Sequence, residues 1–299
     1  MLSHIAEVRI PFSPPPTNLH VAKTVRSVPH TRNGAGMRRG KRQACLLLVL
    51  LFAPLAALAQ LTPETKAAYQ EYIAALDTQM AAQNAAQSGF LWIDRDPARL
   101  QAVRQGEIVT QKVRSTPLAD GMIQHWIGGM FLPGATLARV ERADQDYGSY
   151  TKFYGPDISR VKVLSHSGNH FVVAYRITKT KVLTAVFDTV QAIDYLPLAP
   201  GRLAVQSRSQ SVRQVDNPGK PTERVLAEGE GSGLLWAMNS WWRMQQRDGG
   251  VYMECEAVTL SRGVPTGLGA LINPILQSFA EDSLKKTLAE KKQAVAASR

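Results

Sequence analysis

Residues 234–261 read LLWAMNSWWRMQQRDGGVYMECEAVTLS. Asp248-Gly249 is the strongest hairpin signal in the chain, because a primed two-residue turn needs left-handed backbone at both central positions. A turn there pairs Arg247 with Gly250. Counting outward, Met244 faces Met253, Trp242 faces Cys255 and Ser240 faces Ala257, while Arg243 faces Glu254 and Trp241 faces Glu256. Side chains alternate across a sheet, so this register sorts the hairpin into two faces. One carries Trp236, Met238, Ser240, Trp242, Met244, Met253, Cys255, Ala257 and Thr259, with no charge. The other carries Arg243, Gln245, Tyr252, Glu254 and Glu256. The uncharged face is expected to turn inward. The Arg243–Glu254 pair is expected outside, where a cross-strand ion pair contributes ~0.2–1 kcal/mol.

Strand signals recur upstream. Residues 107–114 alternate, and 161–166 and 171–178 flank Gly168-Asn169, a second hairpin turn. Residues 182–195 and 202–215 are long strand candidates. Over 202–213 both faces include polar groups. A serine face turned inward would orient a polar ligand head; at an edge it is merely solvated, and the solvated reading is adopted. The stretch 118–154 reads as helical and loop-like, broken by Pro117, Gly128, Gly129, Pro133 and Gly134. It holds a helix over 135–144 and a short one over 147–154. Residues 217–221 form a turn.

Both ends of the mature chain read as helix. Thr62-Pro63-Glu64 supplies an N-cap, a proline at the first helical position and an acid in the first turn. Tyr69, Tyr72, Ile73, Leu76 and Met80 then form an apolar stripe. With Lys66 as its one basic residue, this helix is expected to dock on the fold rather than on a membrane. Near the C-terminus Leu268, Leu271, Ile272, Ile275, Leu276 and Phe279 recur at helical spacing. Pro274 is expected to kink or divide that helix, with a capping box at 278–281 restarting it. The order is strand, short helices, six strands, long helix. Consecutive hairpins imply an antiparallel sheet, and the terminal helix must bury its stripe against it.

This order resembles the START-like, or SRPBCC, helix-grip superfamily over about residues 104–297. Local stretches carry the likeness. Asp146-Tyr147 leads to Phe153-Tyr154 and Ile158-Ser159-Arg160-Val161, Asp248-Gly249-Gly250 closes the last hairpin, and residues 263–269 enter the terminal helix. The resemblance is to secreted bacterial members of unassigned activity. It implies an α+β fold: a curved antiparallel sheet of about seven strands wrapped around the C-terminal helix, with an apolar cavity between them. The N-terminal helix is an addition. The expected ligand-binding residues are Trp236, Met238, Trp242, Met244, Met253, Cys255 and His125, with Leu271 and Ile275 from the helix. Met adapts in shape and Trp offers a rigid wall. The competing reading of the same face is plain core packing.

Chemical motifs are sparse. Three histidines follow the leader: His125, His166 and His170. None has the companions of a metal site, so neither metal nor cofactor is expected. His125, beside Gly128-Gly129, is the best polar pocket candidate, although a buried structural histidine is the commoner outcome. There is no GxSxG elbow, and Gly229-Glu230-Gly231-Ser232-Gly233 lacks the Lys of a phosphate loop. Asp144 and Asp146 could serve as acid and base, but read more simply as caps or surface charges. Cys255, predicted on the buried face, reads as an inert packing residue. The expected function is binding of an apolar or amphipathic, lipid-like small molecule. The alternatives are a cyclase- or isomerase-type enzyme using the same cavity, with His125 or Asp146 as its titratable group, and a structural or interaction protein with a filled core.

The chain carries a formal charge of +11 over 299 residues, with 44% hydrophobic and 20% charged residues. The leader of 59 residues holds eight basic residues and one acidic, so most of the surplus lies there. The remainder carries +4, and no nucleic-acid partner is expected. Within that leader, 37–59 reads as a signal peptide: Arg38, Arg39, Lys41 and Arg42 precede an apolar run over 44–58, and Ala57-Leu58-Ala59 is a cleavage site. Gln60 is then the mature N-terminus and the compartment secreted or periplasmic, with peripheral membrane contact left open. Residues 1–36 read as an extension upstream of a start at Met37. The domain division is 1–36, 37–59, a helix and linker over 60–103, and the helix-grip domain over 104–299.

Overall fold

The computed structural model describes residues 60–86, 88–180, 184–263 and 269–298, with the side chains of the C-terminal helix described from Ala280 onward. In chain order the elements are α1 (Pro63–Ala85), a 3-10 turn (Trp92–Arg95), α2 (Pro97–Arg104), β1 (Val109–Pro117), β2 (Gly121–Pro133), α3 (Leu137–Gln145), a second 3-10 turn (Tyr147–Ser149) and α4 (Tyr150–Phe153). Then follow β3 (Ile158–Ser167), β4 (His170–Thr180), β5 (Thr184–Ala199), β6 (Arg202–Asp216), β7 (Arg224–Val225), β8 (Ala237–Arg247), β9 (Gly250–Arg262) and α5 (Gly269–Ala297). The strands form one antiparallel sheet in the order β1-β2-β9-β8-β6-β5-β4-β3, with β7 paired to β6.

The β8–β9 hairpin has the register read from its turn, from Arg247 opposite Gly250 through Trp242 opposite Cys255 to Ser240 opposite Ala257. Asp248 and Gly249 sit at φ 53° and 71°, the left-handed pair such a turn requires. The Gly168-Asn169 turn likewise pairs Ser167 with His170.

The sheet is covered on both sides. On the inner face α5 lies over β1 and β2, and Leu284 and Leu288 join Trp126, Met130, Phe187, Met244 and Met253 in the main core. On the outer face Tyr69, Ile73, Leu76 and Met80 of α1 pack on Ile123, Trp241, Val258 and Leu260. Thr62 caps α1 by accepting from the Thr65 backbone at 3.3 Å. The docking expected from its composition is what the helix does. Beside it, Phe90, Leu91, Ile93 and Val103 close over Tyr252.

Two expectations need correction. The stretch 118–154 is not all helix and loop, because β2 is a thirteen-residue strand pairing with β9 along its whole length. With both faces covered it shows no polar alternation, and its glycines are close-approach positions rather than breaks. A Cβ on Gly128 would stand 2.9 Å from Leu288 on the inner face, and one on Gly129 would stand 2.6 Å from Ile93 on the outer. Pro274 does not divide α5, which runs unbroken from Gly269 to Ala297. A proline near the start of a helix forfeits one backbone bond, and a long docked helix tolerates the loss.

Candidate ligand cavity

Between the sheet and α5 lies a cavity of about 200 Å³. Inward-facing positions of β4, β5, β6 and β8 supply its floor: Tyr175, Ile177, Gln191, Ile193, Tyr195, Val205, Ser207, Met238, Ser240 and Trp242. The helical excursion between β2 and β3 folds back to add Asp144, Tyr150 and Tyr154, and α5 adds Thr287, Glu290 and Lys291. The aromatic rings form a connected wall. Tyr150 lies 4.9 Å from Tyr154 and 6.1 Å from Tyr175 between ring centres, and Tyr147 lies 5.1 Å from Tyr150.

One ion pair is built into this wall. Lys291 Nζ donates to Asp144 Oδ1 at 2.7 Å, with both side chains buried, and lies 4.1 Å from the centre of the Trp242 ring. Burial pushes the Asp144 carboxyl up from its ordinary value, and Lys291 pulls it partly back. Tyr150 Oη donates to the Asp144 backbone carbonyl at 2.6 Å. Burial raises the Tyr147 phenol to about 12, and raises those of Tyr150, Tyr154, Tyr175 and Tyr195 as well. At neutral pH the tyrosines are therefore neutral groups, not bases. Between neighbouring strands, Ser207 Oγ of β6 donates to Gln191 Oε1 of β5 at 3.3 Å. At the rim, Lys286 bridges Asp157 at 2.5 Å and Glu290 at 3.7 Å. Lys179 there donates to Ser283 at 2.8 Å, and burial lowers its pKa.

The residues singled out in the sequence divide between two faces. Met238 and Trp242 line the cavity. Met244, Met253 and Cys255 are buried in the main core with Trp242 but do not reach the cavity wall. Burial pushes the Cys255 thiol up, as suits a packing residue. Trp236 lies on the opposite face, packed with Trp241 and Leu260 against α1. It precedes the first residue of β8, so the pleat does not dictate its side. His125 is also on the outer face, because odd-numbered positions of β2 point away from α5. Its Nε2 donates to Glu256 at 2.7 Å and its Nδ1 accepts from Tyr72 Oη at 2.7 Å, which satisfies both ring nitrogens. Asp146 is exposed. The side chains of Leu271 and Ile275 fall outside the described residues, as do residues 1–59.

The Arg243–Glu254 pair is not solvated. Its side chains are 3% and 1% exposed, with Arg243 donating to Glu254 Oε1 at 2.7 Å under α1 and the 90–95 segment. The serines of β6 are not simply solvated either, since Ser207 lines the cavity.

The sequence reading missed Lys291, Gln191, Tyr175 and Tyr195 as cavity residues, and read Asp144 as a cap. Two of them had a signal. Leu284, Leu288, Lys291 and Val295 share one buried stripe of α5, and Val140 and Asp144 share one of α3. A charge on an apolar stripe is an anomaly that asks for a partner, and these two are each other's.

The strand order, the uniformly antiparallel pairing and the long terminal helix laid across a curved sheet decide the architecture. The arrangement is of the helix-grip kind: α+β, with one curved antiparallel sheet and a long C-terminal helix. Neither a protein-family model nor a curated protein matches the chain. Among solved structures, TTHA0849 from Thermus thermophilus aligns at 12% identity over 57% of this chain and 96% of its own, with a TM-score of 0.41. A STAR-related lipid transfer protein fragment from Xanthomonas axonopodis aligns at 12% over 58% and 95%, with a TM-score of 0.38. Human STARD10 aligns at 11% over 67% and 80%, with a TM-score of 0.40. The helix-grip domain here carries α1 and the 90–104 segment across its outer face.

Proposed function

We propose that this START-like chain binds a small amphipathic molecule in the cavity between sheet and α5. The observation that carries the reading is the mixed lining of that cavity: a tyrosine and Trp242 wall that takes an apolar body, with the Asp144–Lys291 pair set into it. Removing apolar area from water supplies the affinity, at roughly 25 cal/mol per Å², and the few polar groups set orientation. An engineered cavity of about 150 Å³ holds benzene, so 200 Å³ suits one or two rings better than a full two-chain lipid.

Native mass spectrometry of the full chain tests this. The expected result is a retained or readily taken-up ring compound, with naphthalene as the reference guest. Recovery without any bound guest, and no uptake of naphthalene, contradicts the reading.

A second reading is an enzyme of the cyclase or isomerase type. It is favoured by Asp144, a carboxyl raised by burial on the cavity wall, because displaced pKa values suit acid–base work. It predicts that a guest changes mass or isomer on standing with the protein. A guest recovered unaltered favours the carrier. We also propose export: cleavage of the leader after Ala59 would leave Gln60 at the mature terminus, which N-terminal mass analysis reads directly.

A further inference from the structure

Lys179 breaks the pattern of the strand that carries it. The inward row of β4 runs through Tyr175 and Ile177, and Lys179 is the next position in that row, on the cavity lining where the cavity meets the rim. Its side chain is 20% exposed. An ammonium carries three donors and no acceptor. Among the described residues this one makes a single hydrogen bond, to Ser283 Oγ of α5 at 2.8 Å. Its one ion-pair contact among them is with Asp157 Oδ2 at 4.0 Å, beyond hydrogen-bond reach. The rim carboxylates are held elsewhere, because Lys286 takes Asp157 Oδ1 at 2.5 Å and Glu290 at 3.7 Å. Withdrawing an ammonium from water without a close counter-charge is costly, and burial accordingly lowers the Lys179 pKa. The other lysine of the lining differs. Lys291 has its carboxylate in Asp144 at 2.7 Å and lies 4.1 Å from the centre of the Trp242 ring, so its charge is matched within the fold.

Position and charge narrow the guest. Two residues along a strand span about 6.7 Å, so a ring lying over Tyr175 and Ile177 brings a short arm to Lys179. Asp157 and Glu290 nearby disfavour a head with more than one negative charge. Resting on the binding reading above, we infer that the guest is a ring compound with a short arm ending in a carboxylate, which accepts hydrogen bonds from Lys179 Nζ at the rim of the cavity. The ring lies inward, and the Asp144–Lys291 pair stays intact.

Five compounds on one naphthalene body test this by calorimetry on the full chain at neutral pH: naphthalene, naphthylethanol, naphthylacetic acid, naphthylethylamine and naphthyl phosphate. Naphthylacetic acid, ionised at that pH, is expected to bind most tightly, about tenfold above naphthylethanol, because hydrogen bonds to charged groups are the stronger kind. Lys179→Met is expected to bring naphthylacetic acid down to the level of naphthylethanol and to leave naphthalene unchanged. Thermal unfolding checks that the variant folds, and Lys179→Gln, which keeps a donor for Ser283, replaces it where it does not. Naphthylacetic acid binding no more tightly than naphthylethanol overturns the inference and leaves cavity binding standing. A preference for the acid that survives the loss of Lys179 does the same. Tightest binding of naphthylethylamine would mean that the rim reads a cation, and of naphthyl phosphate that it reads a dianion; either overturns the inference. Failure of every compound to bind, naphthalene included, overturns the cavity reading itself.

Discussion

The two faces of the sheet both bury charge, and they do so differently. On the outer face Glu254 accepts from Arg243 and from the Ile93 backbone, and Glu256 accepts from Arg243 and His125, whose other nitrogen is met by Tyr72. Asp77 of α1 accepts from Gln206 at 2.8 Å and from the Trp241 indole at 3.0 Å. This network clamps α1 and the 90–95 segment to the sheet. On the inner face Asp144 is paired with Lys291, and Asp144 Oδ2 and Gln191 Nε2 are buried without a hydrogen-bond partner among the described residues. Burial of a charge therefore does not mark a site in this protein. What separates the two faces is what covers them: α1 and the 90–95 segment close over the outer pairs, whereas the Asp144–Lys291 pair lines a cavity.

The sharpest way to break this contrast is to unpair the outer network. Arg243→Leu leaves Glu254 buried without its cation and is expected to cost ~3–5 kcal/mol of stability in urea unfolding. A loss under ~1 kcal/mol would mean that the outer charges are in effect solvated. The glycines of β2 come next. Gly129→Ala places a methyl against Ile93 on the outer face and Gly128→Ala places one against Leu288 on the inner face. Each is expected to cost ~1–3 kcal/mol by overpacking, seen as a lower Tm. Full wild-type stability in both would show that the covering layers are loose. Gln191→Met removes an inner polar group that the fold leaves half-used, and is expected to stay within ~0.5 kcal/mol of wild type or to gain slightly. A loss comparable to that of Arg243→Leu would erase the distinction between the faces.

The smallest effect is with pH. Burial raises the Asp144 carboxyl above its ordinary 3.8. The folded chain then holds that proton to higher pH than the unfolded chain does, so folding is favoured below 3.8 and the advantage is lost as pH rises through the raised value. Wild type should therefore lose stability relative to Asp144→Asn on going from acid toward neutral pH. Parallel pH profiles for the two would contradict the shift.

Much of the fold was legible because strong local rules carried it. Asp248-Gly249 gave the β8–β9 register residue by residue, and the stripe from Tyr69 to Met80 placed α1. β2 was hidden for a physical reason: a central strand covered on both faces has no polar alternation, and its glycines resemble breaks. The same omission misplaced His125, since its side depends on the strand. Arg243–Glu254 was assigned to the correct face but to the wrong environment, because nothing local to the hairpin says that α1 returns to cover it. The cavity was legible only through Met238 and Trp242. Lys291 and Asp144 were visible as charges on apolar stripes, but their meeting is a tertiary event between α3 and α5.

Neighbouring indoles offer the most direct test of the central claim, that a ligand enters on the inner face. Trp241 points outward to Asp77, and Trp242 lines the cavity beside Lys291. In a ¹⁵N-edited spectrum titrated with naphthalene, the Trp242 indole signal is expected to shift progressively while those of Trp241 and Trp236 stay in place. Movement of the Trp241 or Trp236 signals with Trp242 unchanged would put the guest under α1 and contradict the account.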